Sequence, residues 1–432
     1  MKLGINTAQC IGRIKPMNGV NNGPFYTSNR TMNATNLPEF RQANIPYVRT
    51  HDSSMDYNYG GEHTVDVSAV FPDFGADPYD EASYDFTLTD GYIENTVKAG
   101  SRIFYRLGNK IEHWSKHYGV MPPADPEKWA VVCEHIVRHL NEGWADGHHF
   151  GIEYFEIWNE PDLYPKCWLG TPEEYYRLYE VTSRHLKNSF PDIKVGGPAV
   201  CDFNEEWLRP FFGMIRDKKL PFDFYTWHRY TSDVATVVSR AKKHRELLDE
   251  FGFYNVESIL DEWNYAVSFS GEELVRTLKT IRGVKGAAFA AAVMCACQHE
   301  PVDMLLYYDA RTNCPMNGLF SIYDYSTLKS YHVFRAWGEM LALGNECATV
   351  CDIPDIYAAS AAGGGESITM IAYYTNDDDA VKQTFTAELS DDRMRTVFLL
   401  DGDHDLTPVE RIAPFEGRFS ITMMPNTVIV LK

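Results

Sequence analysis

Short and almost wholly apolar runs recur along the first part of the chain, and each is followed by a longer stretch with helical amphipathic spacing. Their length and composition are typical of parallel strands that are buried on both faces. The runs cover residues 2–7, 45–52, 101–108, 155–162, 193–200, 222–230, 257–265 and 303–310. Eight alternating strand and helix units predict an α/β fold, the (β/α)8 or TIM barrel.

The stretches between these runs predict helices, most clearly over residues 125–143, 171–189 and 271–298. Thr171 and Glu174 have the spacing of a capping box, so we expect the second of these helices to begin there.

The pattern changes after a last helix-like stretch at 326–344. Residues 346–432 contain short alternating or apolar runs separated by Gly, Asp, Asn and Pro. This pattern predicts a small C-terminal antiparallel β-sandwich domain, which leaves the barrel residues 1–345. The glycine-rich segment at 361–367 predicts a turn between two strands, because it lacks the Lys-Ser/Thr pair of a phosphate-binding loop.

Charge and composition narrow the classes of partner. The formal net charge is -20, and no basic stripe is available to bind nucleic acid. No segment has the roughly 18 apolar residues of a membrane span. The nine cysteines are scattered without a metal-type spacing, which favours reduced thiols and a cytoplasmic location.

Two of the runs end in acidic residues. Glu160 follows Asn159 after the fourth run, and Glu262 lies at the end of the seventh. The carboxyl ends of barrel strands meet at one mouth, so we expect both glutamates there. A pair of carboxyl groups can cleave a glycosidic bond, because one protonates the leaving oxygen while the other attacks or stabilises the sugar centre.

Seven motifs in chain order extend this interpretation. They are VNNGPF (20–25), VRTHD (48–52), PPADPEKWA (122–130), FEIWNEPDL (155–163), KVGGPAV (194–200), DFYTWHRYT (223–231) and LDEWN (260–264). Together they resemble the retaining glycoside hydrolases of family 39, the β-xylosidase and α-L-iduronidase family. The resemblance is weaker over residues 317–340. The C-terminal region resembles the family only in its predicted architecture, a β-sandwich.

The resemblance implies that Glu160 is the general acid/base and Glu262 the nucleophile, with carboxyl groups about 5–5.5 Å apart. Glu160 must then hold a proton near neutral pH while Glu262 stays ionised. Asn159 is expected to bind the 2-hydroxyl of the sugar.

Four further residues enter through the same resemblance. His228 and Tyr230 are expected to line the sugar subsite, with Tyr230 orienting Glu262. His51 either contacts sugar hydroxyls or closes a structural ion pair, and Arg49 is expected to support the carboxylates.

Trp263 could form a sugar platform or only shield the nucleophile. Trp227 faces opposite to His228 along its strand and is expected to pack outside the barrel.

The sequence at the end of the eighth run differs from that of the familiar β-xylosidases. The residues at this strand end are Tyr308, Asp309 and Arg311. We expect these three residues to reshape the substrate-binding subsite. The wording DEWN at 261–264 is closer to the α-L-arabinofuranosidases of family 51.

The leading hypothesis is therefore a β-xylosidase-like glycosidase acting on a glycoside or oligosaccharide. The alternatives are an α-L-arabinofuranosidase or another pentose- or uronic-acid-releasing enzyme, and a non-catalytic carbohydrate-binding barrel. The sequence is compatible with a homo-oligomer but does not decide the oligomeric state.

A metal-dependent enzyme would need a His/Asp cluster at the strand ends, and only His51 with Asp52 approaches one. The adjacent His148 and His149 face apart, and the sequence indicates no third ligand for them. No metal and no cofactor are therefore expected.

Overall fold

The structure, a computed structural model, describes residues 2–28, 33–53, 63–109 and 119–432. The barrel region and the N-terminus contribute strands β1 Leu3–Arg13, β2 Gly19–Asn21, β3 Tyr26–Ser28, β4 Asn33–Thr35, β5 Tyr47–Thr50, β6 Arg102–Leu107, β7 Tyr154–Ile157, β8 Lys194–Val200, β9 Phe224–Tyr230, β10 Glu257–Asn264 and β11 Met304–Tyr307. The later strands are β12 Asn345–Cys351, β13 Ile356–Gly363, β14 Glu366–Tyr373, β15 Gln383–Leu389, β16 Arg395–Leu400, β17 Asp405–Ile412, β18 Arg418–Met423 and β19 Thr427–Leu431.

The helices are α1 Leu37–Gln42, α2 Val67–Val70, α3 Thr87–Lys98, α4 Pro126–Glu142, α5 Pro172–Ser189, α6 Glu205–Lys218, α7 Val234–Glu250, α8 Gly271–Ile281, α9 Val284–Gln298 and α10 Lys329–Leu343.

Eight parallel strands close into a barrel in the order β2, β5, β6, β7, β8, β9, β10 and β11, which confirms the predicted fold. Seven of the eight apolar runs overlap these strands. An apolar and largely aromatic cluster fills the interior below the mouth, and it consists of Tyr47, Phe104, Tyr154, Phe224, Ile259, Met304 and Leu306. This layer closes the barrel beneath the polar residues that follow along the strands.

The assignment of residues 2–7 to the barrel is wrong. The strand there, β1, pairs antiparallel with β12 and parallel with β15, so it belongs to the second sheet. The first barrel strand is instead β2, which has three residues and is followed by another asparagine. So short a strand gives little apolar signal. Because the misassigned run precedes β2, the numbering of all later barrel strands is unchanged.

The helices follow their local sequence closely. The capping box is confirmed: the Thr171 hydroxyl accepts a hydrogen bond from the Glu174 amide, and the Glu174 carboxylate accepts one from the Thr171 amide. The stretch 271–298, expected as one helix, is broken after α8 and continues as α9 at an angle of 75°. At Gly286 a Cβ atom would lie 2.5 Å from the Thr280 carbonyl oxygen, so the close packing of this corner requires glycine.

Helix α9 is apolar on all sides and buried, with contacts to β13, β14 and β19. Among the described helices, none by itself is both long and apolar enough to cross a membrane. The α8–α9 pair taken together has the length and the apolar composition of a membrane span, but it is bent by 75°.

The second sheet has nine strands in the order β17, β16, β19, β14, β13, β12, β1, β15 and β18. It is antiparallel except for the β1–β15 pair. One face packs on α9 and α10, and the other builds a separate apolar core that includes Leu3 and Ile5. The predicted C-terminal β structure is thus confirmed with one strand added from the N-terminus, while the boundary after residue 345 stays a prediction. Gly364 and Gly365 form the expected turn between β13 and β14.

Candidate active site

A polar layer lies directly above the aromatic floor of the barrel. Inward-facing positions recur every second residue along a strand, so the residue two places after each floor residue also points inside. These positions hold Arg49 after Tyr47, Glu156 after Tyr154, Thr226 after Phe224 and Asp261 after Ile259. The alternation that builds the apolar floor therefore also brings buried charges together beneath the mouth.

A bulge in β10 brings two adjacent carboxylates inside. The pairing of β10 with β9 shifts between Leu260 and Glu262, so Asp261 has no partner of its own. Asp261 Oδ2 lies 2.9 Å from Arg49 Nε, and Glu262 Oε1 lies 2.9 Å from Arg49 Nη1. In a regular strand these neighbours would point to opposite faces, and the extra residue removes that alternation.

The end of β7 is bent by left-handed backbone. Trp158 has φ 73° and Glu160 has φ 45°, which non-glycine residues rarely adopt. The Glu160 amide donates to the Ala199 carbonyl at 2.9 Å. Such outliers cluster at functional sites, where the surrounding structure holds them in place.

The two glutamates meet across His228. Its Nδ1 lies 2.7 Å from Glu160 Oε1 and 3.5 Å from Glu262 Oε2. A carboxylate oxygen of Glu160 and one of Glu262 lie within 4.8 Å of each other. On its other side, Glu160 Oε2 accepts from the Cys167 thiol at 3.2 Å.

Glu262 is held through both oxygens. Its Oε1 accepts from Arg49 Nη1 at 2.9 Å and lies 2.7 Å from His51 Nε2. Its Oε2 accepts from the Tyr230 hydroxyl at 2.8 Å. Burial alone would raise the pKa of Glu262, but the positive charges of His228, His51 and Arg49 outweigh burial and hold this pKa well below its usual range. Glu262 is therefore ionised at neutral pH.

The neighbouring carboxylates raise the pKa of both histidines. Burial acts to lower the pKa of His228, yet the carboxylates of Glu262 and Asp261 raise it well above the ordinary value. The pKa of His51 is raised against burial in the same way by Asp52 and Glu262. Because the ionised Glu262 carboxylate can only accept, His51 Nε2 donates to it, and His228 Nδ1 and Glu160 Oε1 share one hydrogen bond.

Glu156 behaves differently from Glu262. Burial raises its pKa to about 8, and the neighbouring Asp261 carboxylate adds to this rise while Arg49 opposes it. Its Oε2 accepts from Arg49 Nε at 2.8 Å. Glu156 is therefore mostly a neutral acid at pH 7, which limits the negative charge buried around Arg49.

Asn159 lies in the same network. Its Oδ1 accepts from Arg49 Nη2 at 2.7 Å. Its amide Nδ2 is buried and has no hydrogen-bond partner within the described ranges. A donor left free beside Glu160 and Glu262 is available to an incoming hydroxyl.

The residues after β11 form a linked group with Asp52. Tyr308 donates to Asp52 Oδ2 at 2.8 Å, and Arg311 lies 3.2 Å from the same oxygen. Asp309 is fully buried, where it accepts from Asn22 at 2.9 Å and from Arg311 Nε at 2.7 Å. Through these bonds Asp309 supports the loop, and the expected reshaping of the subsite by Tyr308, Asp309 and Arg311 stays a prediction. Tyr308 and Arg311 are both partly exposed, whereas Asp52 and Asp309 are buried.

The position of Trp263 argues against the sugar platform, one of the two roles considered for it. Its ring is fully buried outside the barrel, against Tyr307 at 5.3 Å and Phe289 of α9 at 6.3 Å between ring centroids. The bulge at Asp261 sends Glu262 inward and therefore Trp263 outward. Trp227 packs outside the barrel as expected, stacked on His244 at 4.4 Å.

Sequence reasoning missed three residues of the site, namely Glu156, Asp261 and Cys167. A carboxylate in the middle of an apolar run was the available signal for Glu156 and Asp261, whereas nothing local marks Cys167. All nine cysteines are free thiols.

Two groups have the spacing to hold a metal ion within the described residues. Glu160, His228 and Glu262 are one, but the raised pKa of His228 keeps a proton on the nitrogen that would be the ligand. The other corrects the expectation that His148 lacks further ligands, because Asp90 and His139 lie beside it.

Comparison with known proteins agrees with this arrangement. The family model described as "Glycosyl hydrolases family 39" matches residues 18–335. A β-xylosidase of Geobacillus stearothermophilus is 32% identical over 201 residues, which cover 43% of this chain and 36% of that protein. The chain thus spans about a third of the length of that relative.

Solved structures resemble the whole chain. A glucosidase of Croceicoccus marinus has a TM-score of 0.81 at 22% identity, with 100% of this chain and 98% of that chain covered. An α-L-arabinofuranosidase of Thermotoga maritima has a TM-score of 0.72 at 14% identity, with 100% and 99% covered. At these identities the likeness concerns the fold.

Proposed function

Because the chain belongs to glycosyl hydrolase family 39, we propose that it is a glycosidase that releases terminal sugars from glycosides or oligosaccharides. We further propose that it acts with retention of configuration by double displacement, with Glu160 as acid/base and Glu262 as nucleophile.

The close approach of the two glutamates carries the proposal. Their nearest oxygens lie within 4.8 Å, which agrees with the separation of about 5–5.5 Å typical of retaining enzymes. Inverting enzymes hold the carboxyl groups about 6.5–9.5 Å apart to admit a water molecule between sugar and base. The spacing here favours direct attack by a carboxylate.

The contacts of Glu262 suggest which oxygen attacks. Oε1 makes two close contacts, with Arg49 at 2.9 Å and His51 at 2.7 Å, whereas Oε2 accepts one hydrogen bond, from the Tyr230 hydroxyl at 2.8 Å, and lies 3.5 Å from His228 Nδ1. Oε2 is therefore the less occupied oxygen, and we propose that it attacks the anomeric carbon. As its bond to that carbon forms, the bond to the leaving oxygen breaks.

The proton for the leaving oxygen comes from the Glu160–His228 pair. His228 Nδ1 and Glu160 Oε1 are 2.7 Å apart, close enough to share one proton. After the aglycone departs, Glu160 accepts a proton from water, the water oxygen bonds to the anomeric carbon, and Glu262 leaves as a carboxylate. Asn159 Nδ2 would donate to the sugar 2-hydroxyl during both steps.

We propose a β-xylosidase-like preference for a neutral pentose. Arg49 and Arg311 are both already paired with carboxylates, so neither is free to bind the carboxylate of a uronic acid. An α-L-arabinofuranosidase is the second candidate, favoured by the sequence DEWN (261–264) at the end of β10. The cytoplasmic location and a homo-oligomeric state stay predictions.

A panel of aryl glycosides tests the proposal, with β-D-xyloside, α-L-arabinofuranoside, β-D-glucoside and a uronide as substrates. We expect Glu262→Ala to lower kcat/KM at least ~10⁴-fold on the best substrate, because no other group forms the glycosyl intermediate. Glu160→Ala should lose far less on a dinitrophenyl glycoside than on an alkyl glycoside, since the former needs no protonation to leave. The exposed Glu272→Gln is the control.

The stereochemical course is read by NMR of the first-formed product. A product of the same anomeric configuration as the substrate supports double displacement, and an inverted product contradicts it. Absence of hydrolysis of every glycoside by the wild-type chain would contradict the glycosidase activity itself and favour the carbohydrate-binding alternative.

A further inference from the structure

A second group of polar side chains lies outside the barrel, in its helical layer. Asp90 is on α3, His139 is near the end of α4, and His148 follows in the segment between α4 and β7. His139 Nε2 lies 2.9 Å from Asp90 Oδ1, and His148 Nε2 lies 3.5 Å from Asp90 Oδ2. One nitrogen or oxygen of each residue lies within 4.8 Å of those of the other two.

The hydrogen bonds of His139 orient its ring. Its Nδ1 lies 2.8 Å from the Trp144 carbonyl oxygen, which can only accept, so the proton of a neutral ring is on Nδ1. The lone pair of Nε2 then faces a carboxylate oxygen of Asp90, which also only accepts. Two lone pairs at this distance need a positive charge between them, supplied either by a second proton on the ring or by a metal ion.

The surroundings match those of a metal-binding histidine. Such histidines usually donate their other N–H to a backbone carbonyl or carboxylate, which fixes the ring and its tautomer. The His139 ring also stacks on Phe86 at 3.5 Å, and the His148 ring on Phe150 at 4.4 Å between centroids. Both rings are thus held by packing before any ligand binds.

The separations suit a small divalent cation. Zinc binds imidazole nitrogen and carboxylate oxygen at about 2.0–2.2 Å, which places neighbouring ligand atoms roughly 3–3.5 Å apart. Within the described residues, the ion pairs of Asp90 are with these two histidines alone. Asp90 and His148 each keep 24% of their side-chain surface exposed, so an ion can enter and water can complete the coordination.

We propose that Asp90, His139 and His148 form a structural binding site for a divalent transition-metal ion, with zinc as the best fit to two imidazoles and one carboxylate. The ion would join α3, the end of α4 and the segment that leads into β7. It would thereby brace β7, the strand that precedes Glu160 in the chain, without taking part in the chemistry at the mouth.

Zinc titration of the EDTA-treated full chain tests the site, by isothermal calorimetry and by thermal unfolding with zinc chloride as the probe. We expect about one equivalent to bind with a micromolar or lower Kd and to raise Tm by several degrees. Asp90→Asn and His148→Gln, both at partly exposed positions, should weaken this binding at least ~10-fold and make the rise in Tm smaller than in the wild type. His149→Gln changes the adjacent, exposed histidine and should behave like the wild type.

Zinc bound at Glu160, His228 and Glu262 would persist in the His148→Gln variant, so the difference between wild type and variant reports on the proposed site alone. Equal zinc affinity of the wild type and His148→Gln would overturn the proposal. So would an unchanged wild-type Tm at 1 mM zinc, a concentration roughly a thousandfold above the expected Kd. Either result would leave Asp90 as an ion-pair and hydrogen-bond partner of the two histidines, with no metal between them.

Discussion

Arg49 is the residue that joins the buried charges of the site. Its guanidinium contacts the carboxylates of Glu156, Asp261 and Glu262, with no exposed surface of its own. Removing one member of such a network leaves an uncompensated buried charge, which is strongly destabilising. A proton on Glu156, whose pKa burial raises to about 8, would limit the negative charge of this network.

Glu156→Gln tests this protonation through the pH dependence of stability. The folded pKa of about 8 lies above the usual value, so the stability from this group is complete below about pH 4.5 and is lost as the pH rises through 8. Glutamine copies the neutral acid and has no proton to lose. We expect the variant to be more stable than the wild type at pH 9 by up to roughly 5 kcal/mol in free energy of unfolding, from a pKa raised from 4.5 to about 8, and nearly equal to it at pH 5.

Urea unfolding at pH 5, 7 and 9 measures this difference. Glu272→Gln, at an exposed position, controls for the loss of a carboxylate in general. A Glu156→Gln protein that is less stable than the wild type at pH 9 would mean that Glu156 acts as an anion.

At the scale of elements, strand β10 decides which side chains reach the sugar. Its bulge turns both Asp261 and Glu262 toward Arg49, and it sends Trp263 out against α9. Alternation along the strand predicts only one of two adjacent residues inside. The bulge, and not the position in the motif, therefore decides whether the Trp263 side chain points into or out of the barrel.

Trp263→Leu separates packing from sugar binding. The ring packs in the layer between the barrel and α9, so we expect the free energy of unfolding to fall by about 2–4 kcal/mol. KM and kcat on the best aryl glycoside should stay within about twofold of the wild type at 25 °C, because the ring does not face the mouth. A tenfold rise in KM without loss of stability would restore the sugar-platform interpretation.

At the scale of the whole molecule, one apolar core runs from the barrel helices onto the second sheet. Residues of α9, α10, β13, β14 and β19 belong to the same cluster as the barrel helices. Strand β1 adds the N-terminal residues to the opposite core of that sheet, between β12 and β15. The two ends of the chain are thus tied into one sheet, and the barrel is flanked by it.

Two isoleucines of β1 test the importance of this strand. Ile5 is 2% exposed and belongs to the second core, whereas Ile11 in the same strand is 52% exposed. We expect Ile5→Ala to lower the free energy of unfolding by about 2–4 kcal/mol and Ile11→Ala by less than about 0.5 kcal/mol. Calorimetry compares the two, and equal losses would contradict the role of β1 in the sheet.

Much of the fold and the central pair of the site could be predicted from local patterns. Apolar runs and helical spacing depend on neighbouring residues, so they indicate the order of the barrel strands and the capping box at Thr171. Glu160 and Glu262 follow from that order, because the carboxyl ends of parallel barrel strands meet at one mouth whatever the details of packing.

Only the tertiary structure decided the rest, since it depends on pairings between residues far apart in the chain. The sheet to which β1 belongs is settled by its partners β12 and β15. The inward turn of Glu262 beside Asp261 is settled by a one-residue shift against β9, which reverses the face of every following side chain. The proton on Glu156 reflects its burial among charges from other strands, and no neighbouring residue in the sequence carries that information.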